Sequence, residues 1–232
     1  TEKAVELALA ARNITIESFN TSLLNEPWEI KNGSGRPFQV FTPYWRKSRA
    51  GIYREPADYS LSSLSFSTVQ SPGHKLDELG LLPSHDWHTK LSEHWDVSED
   101  AAHKLIQRTA DVITRSYATA RNIPSKDGTS RLSPYLAWGL VSPRQICQAV
   151  LTADNEGGHR GENKYLVEIG WREFSYQLLY HFPHIPDQPL REKYSTFPWL
   201  DDAQSLKAWQ FGNTGYPMVD AGMRQLYETG SM

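Results

Sequence analysis

The chain of 232 residues reads as a mainly α protein, with a short α/β piece at its start and a long irregular connection before the helices. Three observations predict this. From about Thr89 onward, apolar residues recur at helical spacing between turns marked by Ser-Pro, Asp and Gly. Between about Arg46 and Trp87, Ser, Pro and Gly are frequent and no period holds, as expected of a connecting segment. The opening residues hold one helical and two strand-like stretches, too little for a self-sufficient α/β layer. The boundaries implied are 1–45 for the end of an α/β domain, 46–88 for a linker and 89–232 for a helical domain.

Thr1 to Ala11 is helical by composition, and Ile14-Thr-Ile-Glu-Ser-Phe19 alternates with the period of a strand. Asn32-Gly-Ser-Gly35 is a turn before a second strand-like run, Phe38 to Phe41. Ser98 stands where an N-cap belongs for a helix running through Ala101 to Tyr117 and beyond. Ser133-Pro134 and Ser142-Pro143 open two more, because proline in a first turn removes an N–H that has no intrahelical acceptor. Asn163 to His181 gives a longer helix, and Asp202 to Gln210 and Pro217 to Tyr227 complete the set. In the last of these Val219, Gly222, Met223 and Leu226 form one apolar stripe, whose glycine is expected to let another backbone come close, and Gly230 stands where a C-cap belongs.

Charge and composition set limits on function. Lys and Arg total 24 against 27 Asp and Glu, a formal net charge of −3, so any nucleic-acid contact must come from a local patch. A single cysteine, Cys147, rules out an intramolecular disulfide framework and fits a reducing, cytoplasmic setting. No run approaches a membrane span, and the first residues look amphipathic rather than like a signal peptide. His74, His85, His88, His94 and His103 have no metal-ligand spacing with cysteine, so no metal site is expected. A P-loop and a Rossmann glycine pattern are both absent. Gly157-Gly-His-Arg-Gly161 reads as a mobile surface loop.

Three segments carry possible chemistry. In Gly128-Thr-Ser-Arg-Leu-Ser-Pro-Tyr-Leu-Ala-Trp-Gly-Leu-Val-Ser-Pro-Arg144, the hydroxyls of Thr129, Ser130 and Ser133 gather at a helix start, with Arg131 among them. Free N–H groups and the helix dipole suit an anion there, although two ordinary Ser-Pro caps would leave the same pattern. In the helix from Asn163, Glu168, Trp171, Arg172 and Ser175 share one face by 3.6-residue spacing. That face reads either as a polar site edge or as a boundary stripe with an intrahelical Glu168–Arg172 pair, worth only about 0.2–0.5 kcal/mol. The third segment, Thr214-Gly-Tyr-Pro-Met-Val-Asp-Ala-Gly-Met-Arg-Gln-Leu226, is a tight loop opening a helix and names no chemistry by itself.

In this order, the three segments resemble the DNA photolyase/cryptochrome family, and most of all its class I cyclobutane pyrimidine dimer photolyases. The likeness covers essentially the whole chain, which resembles a fragment: the end of the α/β antenna domain, including Phe41-Thr-Pro-Tyr-Trp45 at the linker, then the first part of the helical FAD-binding domain. It implies FAD contacts from Tyr117, Thr129, Ser130, Arg131, Leu132, Ser133, Tyr165 and Arg172. It places Arg121, Glu168, Trp171, Arg172 and Ser175 against DNA, with Glu168 and Trp171 holding the pyrimidine pair in catalysis. Trp199 would be the solvent-facing end of an electron-transfer relay to the flavin. A glutamate at position 168 resembles the members that repair cyclobutane dimers, whereas animal-type cryptochromes and (6-4) enzymes usually carry glutamine.

The implied function is light-driven dimer repair by electron transfer from reduced FAD, assisted in the parent protein by a second antenna chromophore of folate or deazaflavin type. The implied partner is UV-damaged DNA, met by a monomer in a bacterial-type, nucleoid-associated setting without a membrane. A blue-light photoreceptor of cryptochrome type, keeping FAD and signalling through a partner, is the alternative. A helical nucleic-acid-binding module without a cofactor is the third class. Most of the antenna domain and the C-terminal part of the FAD domain are expected to lie outside this sequence.

Overall fold

A computed structural model describes residues 2–57, 62, 64–65, 73–155 and 162–232. The glycine-rich loop expected at 157–161 lies outside the described residues. The helices run in the order α1 (Glu2–Ala10), α2 (Phe41–Ser48), α3 (Thr89–Ser92), α4 (Glu99–Arg108), α5 (Thr114–Ala120), α6 (Ser133–Ala137), α7 (Pro143–Asn155), α8 (Glu162–His181), α9 (Ala203–Gln210) and α10 (Pro217–Thr229). The chain is mainly α, as expected.

The strands expected near the start do not form. Among the described residues the sole ladder contact is an antiparallel bridge between Lys31 and Pro37. Ile14, Ile16 and Phe19 are exposed on an unpaired segment, because alternation makes a strand only where a partner takes its N–H and C=O groups. Phe38 to Phe41 turns instead into α2, with Val40 as its extended N-cap. Pro43 decides this: it cannot donate to a ladder, but it fits a first helical turn.

Side-chain caps hold the starts of α4, α7 and α9. Ser98 Oγ accepts from Ala101 N at 3.1 Å, and Asp202 Oδ1 accepts from Gln204 N at 3.0 Å and Ser205 N at 3.1 Å. Ser142 makes a full capping box: its Oγ accepts from Gln145 N at 3.2 Å and its N–H donates to Gln145 Oε1 at 2.8 Å. Gly230 ends α10 in the left-handed region, at φ +71°. Ser133 behaves differently, since no side-chain bond caps α6.

The described residues divide into two compact units, Thr1–Pro56 with Ala102–Asp187, and Ala57–Ala101 with Gln188–Met232. In the first, α8 packs on α2, α5 and α7. Its buried face is Tyr165, Leu166, Ile169, Gly170, Glu173, Phe174 and Gln177, a stripe at helical spacing. From α7, Ile146, Cys147 and Val150 are fully buried. Ile30, Tyr44 and Phe174 form a cluster with Phe38, Phe41 and Leu178 against it. A Cβ on Gly170 would overlap the Trp45 indole, so α2 and α8 meet where α8 has no side chain.

One feature of this unit has no simple sequence signal. α4 runs into α5 through a π turn at Thr109–Ile113. Buried hydroxyls flank it: Thr109 Oγ1 donates to Leu105 O at 2.7 Å and Thr114 Oγ1 to Ala110 O at 2.8 Å. Such back-bonding competes with the regular ladder and fits a helix that is locally overwide.

In the second unit Trp95 Nε1 donates to Thr229 O at 2.6 Å, and Lys90 Nζ lies 3.2 Å above the Tyr227 ring. The loop before α10 is tied to Asp220, whose Oδ1 accepts from Thr214 Oγ1 at 2.6 Å and Thr214 N at 2.8 Å, and whose Oδ2 accepts from Gly215 N at 3.0 Å. The Thr214 hydroxyl and these N–H groups hold the Asp220 carboxyl below its usual range. Gly212 sits at φ +62°, and a Cβ there would also approach Asp220 O at 2.9 Å. The apolar stripe of α10 is covered only in part: Met223 is buried, Val219 and Leu226 stay exposed, and Gly222 faces the Met232 thioether. The close neighbour that glycine admits is a side chain, not a backbone.

Candidate functional site

The first unit brings most of the predicted residues together around α5, α8 and the loop from Asn122 to Leu132. The loop is pinned at two points. A Cβ on Gly128 would come within 2.7 Å of the Ala120 backbone, and Leu132 is fully buried. Between these anchors Thr129 and Arg131 are exposed and Ser130 is half-buried, with Ser133 exposed beyond. Arg131 adopts φ +56°, a left-handed conformation costing a non-glycine residue about 1–2 kcal/mol. Unfavourable backbone of this kind is typical of ligand clamps.

Burial pushes the Tyr165 phenol above its usual range, and the Ser130 hydroxyl beside it pulls the other way. The Tyr165 ring meets Tyr117 edge to face, with centroids 5.0 Å apart and planes at 83°. Arg121 lies over the Tyr117 ring with its guanidinium carbon 5.6 Å from the centroid. Its Nη1 is ion-paired and hydrogen-bonded to Glu168 Oε1, both groups being about a quarter to a third exposed. Lys164 Nζ approaches the same oxygen at 3.8 Å. The Arg121–Glu168 bond favours the charged guanidinium and raises its pKa further.

On α8 the face Glu168, Trp171, Arg172, Ser175 borders the buried stripe. The intrahelical Glu168–Arg172 pair does not form, because each group has found a partner elsewhere. Arg172 Nη1 donates to Ser22 O at 2.7 Å and to Glu173 Oε1 at 3.3 Å, and its guanidinium lies 4.8 Å from the Tyr176 ring centroid. Trp171 is 44% exposed and stacks on Phe41, with centroids 3.7 Å apart and planes at 10°. Ser175 Oγ donates back to Trp171 O at 3.0 Å, so it faces its own backbone.

Behind this face sits a carboxylate that sequence reasoning missed. Glu173 is 2% exposed, and its Oε2 accepts from Leu24 N at 2.8 Å and Asn25 N at 3.2 Å. Burial raises its pKa to about 7, against the opposing pull of those N–H groups, Arg172 and Arg144. Burial also pushes the Cys147 thiol up to about 12, leaving it protonated and inert. Asp127 was missed too: its carboxylate accepts from Arg108 Nη2 at 2.7 Å and lies 3.5 Å from Arg131 Nε. The Phe41 stack and both carboxylate contacts join residues from different elements, and helical periodicity does not report such meetings. Lys164 is the exception, since its i, i+4 relation to Glu168 could have been read from the sequence.

Trp199 belongs to the second unit. It is 81% exposed in an irregular stretch and tilts against Phe197, with centroids 4.6 Å apart. Among the described residues no three His, Cys, Asp or Glu side chains gather as a metal site, and no helix is long and apolar enough to cross a membrane.

Residues 1–60 match the family model described as DNA photolyase, and residues 165–232 match the FAD binding domain of DNA photolyase. A deoxyribodipyrimidine photo-lyase of Agrobacterium fabrum is 37% identical over all of this chain and 49% of its own length. Cryptochrome-2 of Arabidopsis thaliana is 32% identical over all of this chain and 40% of its own length. The crystal structure of a class III photolyase from Agrobacterium tumefaciens superposes with a TM-score of 0.90 at 37% identity, over the whole chain and 48% of that protein. The chain therefore spans half or less of the length of these relatives. With both family models in order along it and whole-chain likeness to photolyases and a cryptochrome, the chain belongs to the DNA photolyase/cryptochrome family.

Proposed function

We propose that this chain supplies flavin-holding and lesion-contacting residues of a light-driven DNA repair enzyme, a deoxyribodipyrimidine photo-lyase acting on cyclobutane pyrimidine dimers. One observation carries the reading. The exposed hydroxyl loop connects through Ser130–Tyr165 and Tyr117 to the Arg121–Glu168 pair, and Trp171 lies one helical turn further along α8.

The loop fits the pyrophosphate of FAD. Thr129 and Ser133 offer exposed hydroxyls, Arg131 offers charge on a clamp-like backbone, and Leu132 anchors the segment from below. Reduced FAD, when bound, supplies the photoexcited electron that opens the cyclobutane ring. The protein groups bind and orient. Arg121 offers charge for a DNA phosphate, so affinity should fall with salt. Glu168 accepts hydrogen bonds from the extruded base edges. Trp171, braced from one side by Phe41, is a stacking platform worth roughly 1–3 kcal/mol per base. Enzymes that act on a base, photolyases among them, take it out of the stack, and a poorly stacked dimer leaves most readily. Arg172, tied to Ser22 and Glu173, supports this edge of α8. Trp199 is the exposed entry of the electron relay. Residues 1–45 form the end of an antenna domain, with 46–88 as its linker to the helical domain.

Replacing Glu168 with Ala tests the assignment. Repair per absorbed photon should fall while FAD is retained; loss of FAD would contradict the role. A flavin-bound wild-type protein that splits no dimers in light would instead favour the photoreceptor reading, which the likeness to Cryptochrome-2 supports.

A further inference from the structure

The exposed loop proposed to hold the FAD pyrophosphate carries a negative charge at its own lip. Asp127 stands two residues before Thr129, and its two oxygens face two different arginines: Oδ1 lies 3.5 Å from Arg131 Nε, and Oδ2 accepts from Arg108 Nη2 at 2.7 Å. Left alone, a carboxylate there would repel an arriving phosphate and hold Arg131 to itself. Arg108 comes from α4, nineteen residues away in sequence, on the last turn before the π turn. Its contact with Asp127 is the shorter and better formed of the two. The side chains are 37% exposed for Arg108, 52% for Asp127 and 54% for Arg131, so water and an incoming anion can reach all three. Two guanidinium groups and one carboxylate leave the lip with a single net positive charge.

We infer that Arg108 is a positioning residue for this loop: it keeps Asp127 occupied from the α4 side, so that Arg131 is released to a phosphate. The inference rests on the proposed FAD reading. Arg108 need not touch the ligand. Its work is to hold the competing carboxylate, and that work is electrostatic.

FAD titration of the purified protein, followed by flavin fluorescence, tests this without any activity assay. Arg108→Gln should weaken FAD binding about twofold to fivefold at low salt, the range expected of a partly exposed charge contact. Asp127→Asn should bind FAD at least as tightly as wild type. The double variant should return to the affinity of Asp127→Asn alone, because without the carboxylate Arg108 has nothing to hold. In about 1 M salt, where the Debye length is roughly 3 Å, the Arg108→Gln defect should largely vanish, whereas a folding defect would persist. Unchanged affinity in Arg108→Gln, or a double variant as weak as Arg108→Gln itself, overturns the inference. A wild-type protein that binds no FAD would sink the loop's assignment and is read separately from both.

Discussion

Arg121 and Glu168, 47 residues apart in sequence, are paired with each other across α5 and α8. These are the two side chains proposed to take a DNA phosphate and a pyrimidine pair. Each occupies the other, so engaging DNA exchanges one internal ion pair for two external contacts. Damaged and undamaged DNA should feel this differently.

Glu168→Gln makes the difference measurable. With the carboxylate gone, Arg121 is free for phosphate, and affinity for undamaged duplex should rise about twofold to fivefold at low salt. Discrimination in favour of dimer-containing DNA should fall at the same time. Competition binding with both duplexes reads the two effects together; equal losses on both would mean that Glu168 does not restrain Arg121.

The two Ser-Pro pairs give a second contrast. Ser142 closes a capping box, and Ser142→Ala should cost about 1 kcal/mol of stability with no effect on flavin affinity. Ser133 makes no cap bond, so Ser133→Ala should leave the unfolding free energy within about 0.5 kcal/mol of wild type while weakening FAD binding. The idea fails if the two alanine variants behave alike in urea denaturation and flavin titration.

Glu173 sets a pH dependence. Its carboxyl is raised from 4.5 to about 7 by burial, so the fold prefers it protonated. The associated stability is fully present below about pH 4.5 and is lost as pH rises through 7, a change on the order of 3 kcal/mol. Glu173→Gln keeps an acceptor for Leu24 and Asn25 N–H but cannot ionise, so its unfolding free energy should vary less between pH 5 and 8. Parallel pH profiles for the two proteins would rule this out.

Trp199→Phe should be silent in stability, since the indole is 81% exposed and touches little beyond Phe197. It should slow photoreduction of oxidised flavin but leave repair by already reduced protein unchanged. Unaltered photoreduction kinetics would remove Trp199 from the relay.

Much of this was legible from local chemistry. Ser98, Ser142, Asp202, Pro217 and Gly230 mark helix ends because each satisfies, or omits, a terminal backbone group within a few residues of itself. The polar face of α8 follows from its period. Local rules failed where a partner from another element decides the outcome. Ile14 to Phe19 alternates like a strand but pairs with nothing among the described residues. Spacing left an intrahelical partner, Arg172, open to Glu168, yet the cation at the end of α5 took it. Glu173, a charge in the middle of a buried stripe, is held there by the N–H groups of Leu24 and Asn25, which lie 149 and 148 residues away in the chain.

The π turn at Thr109–Ile113 adds a rotational offset to the helix that carries Tyr117 and Arg121. Each residue of an α-helix turns the next by about 100°. Because the five residues of the π turn rotate about as far as four of a regular helix, straightening the turn with every residue kept would swing both side chains roughly 100° away from α8, leaving every motif intact and the site dissolved. The width of the turn between the Ser98 cap and Tyr117 is thus a phase constraint on function, one that no motif search along this chain would register.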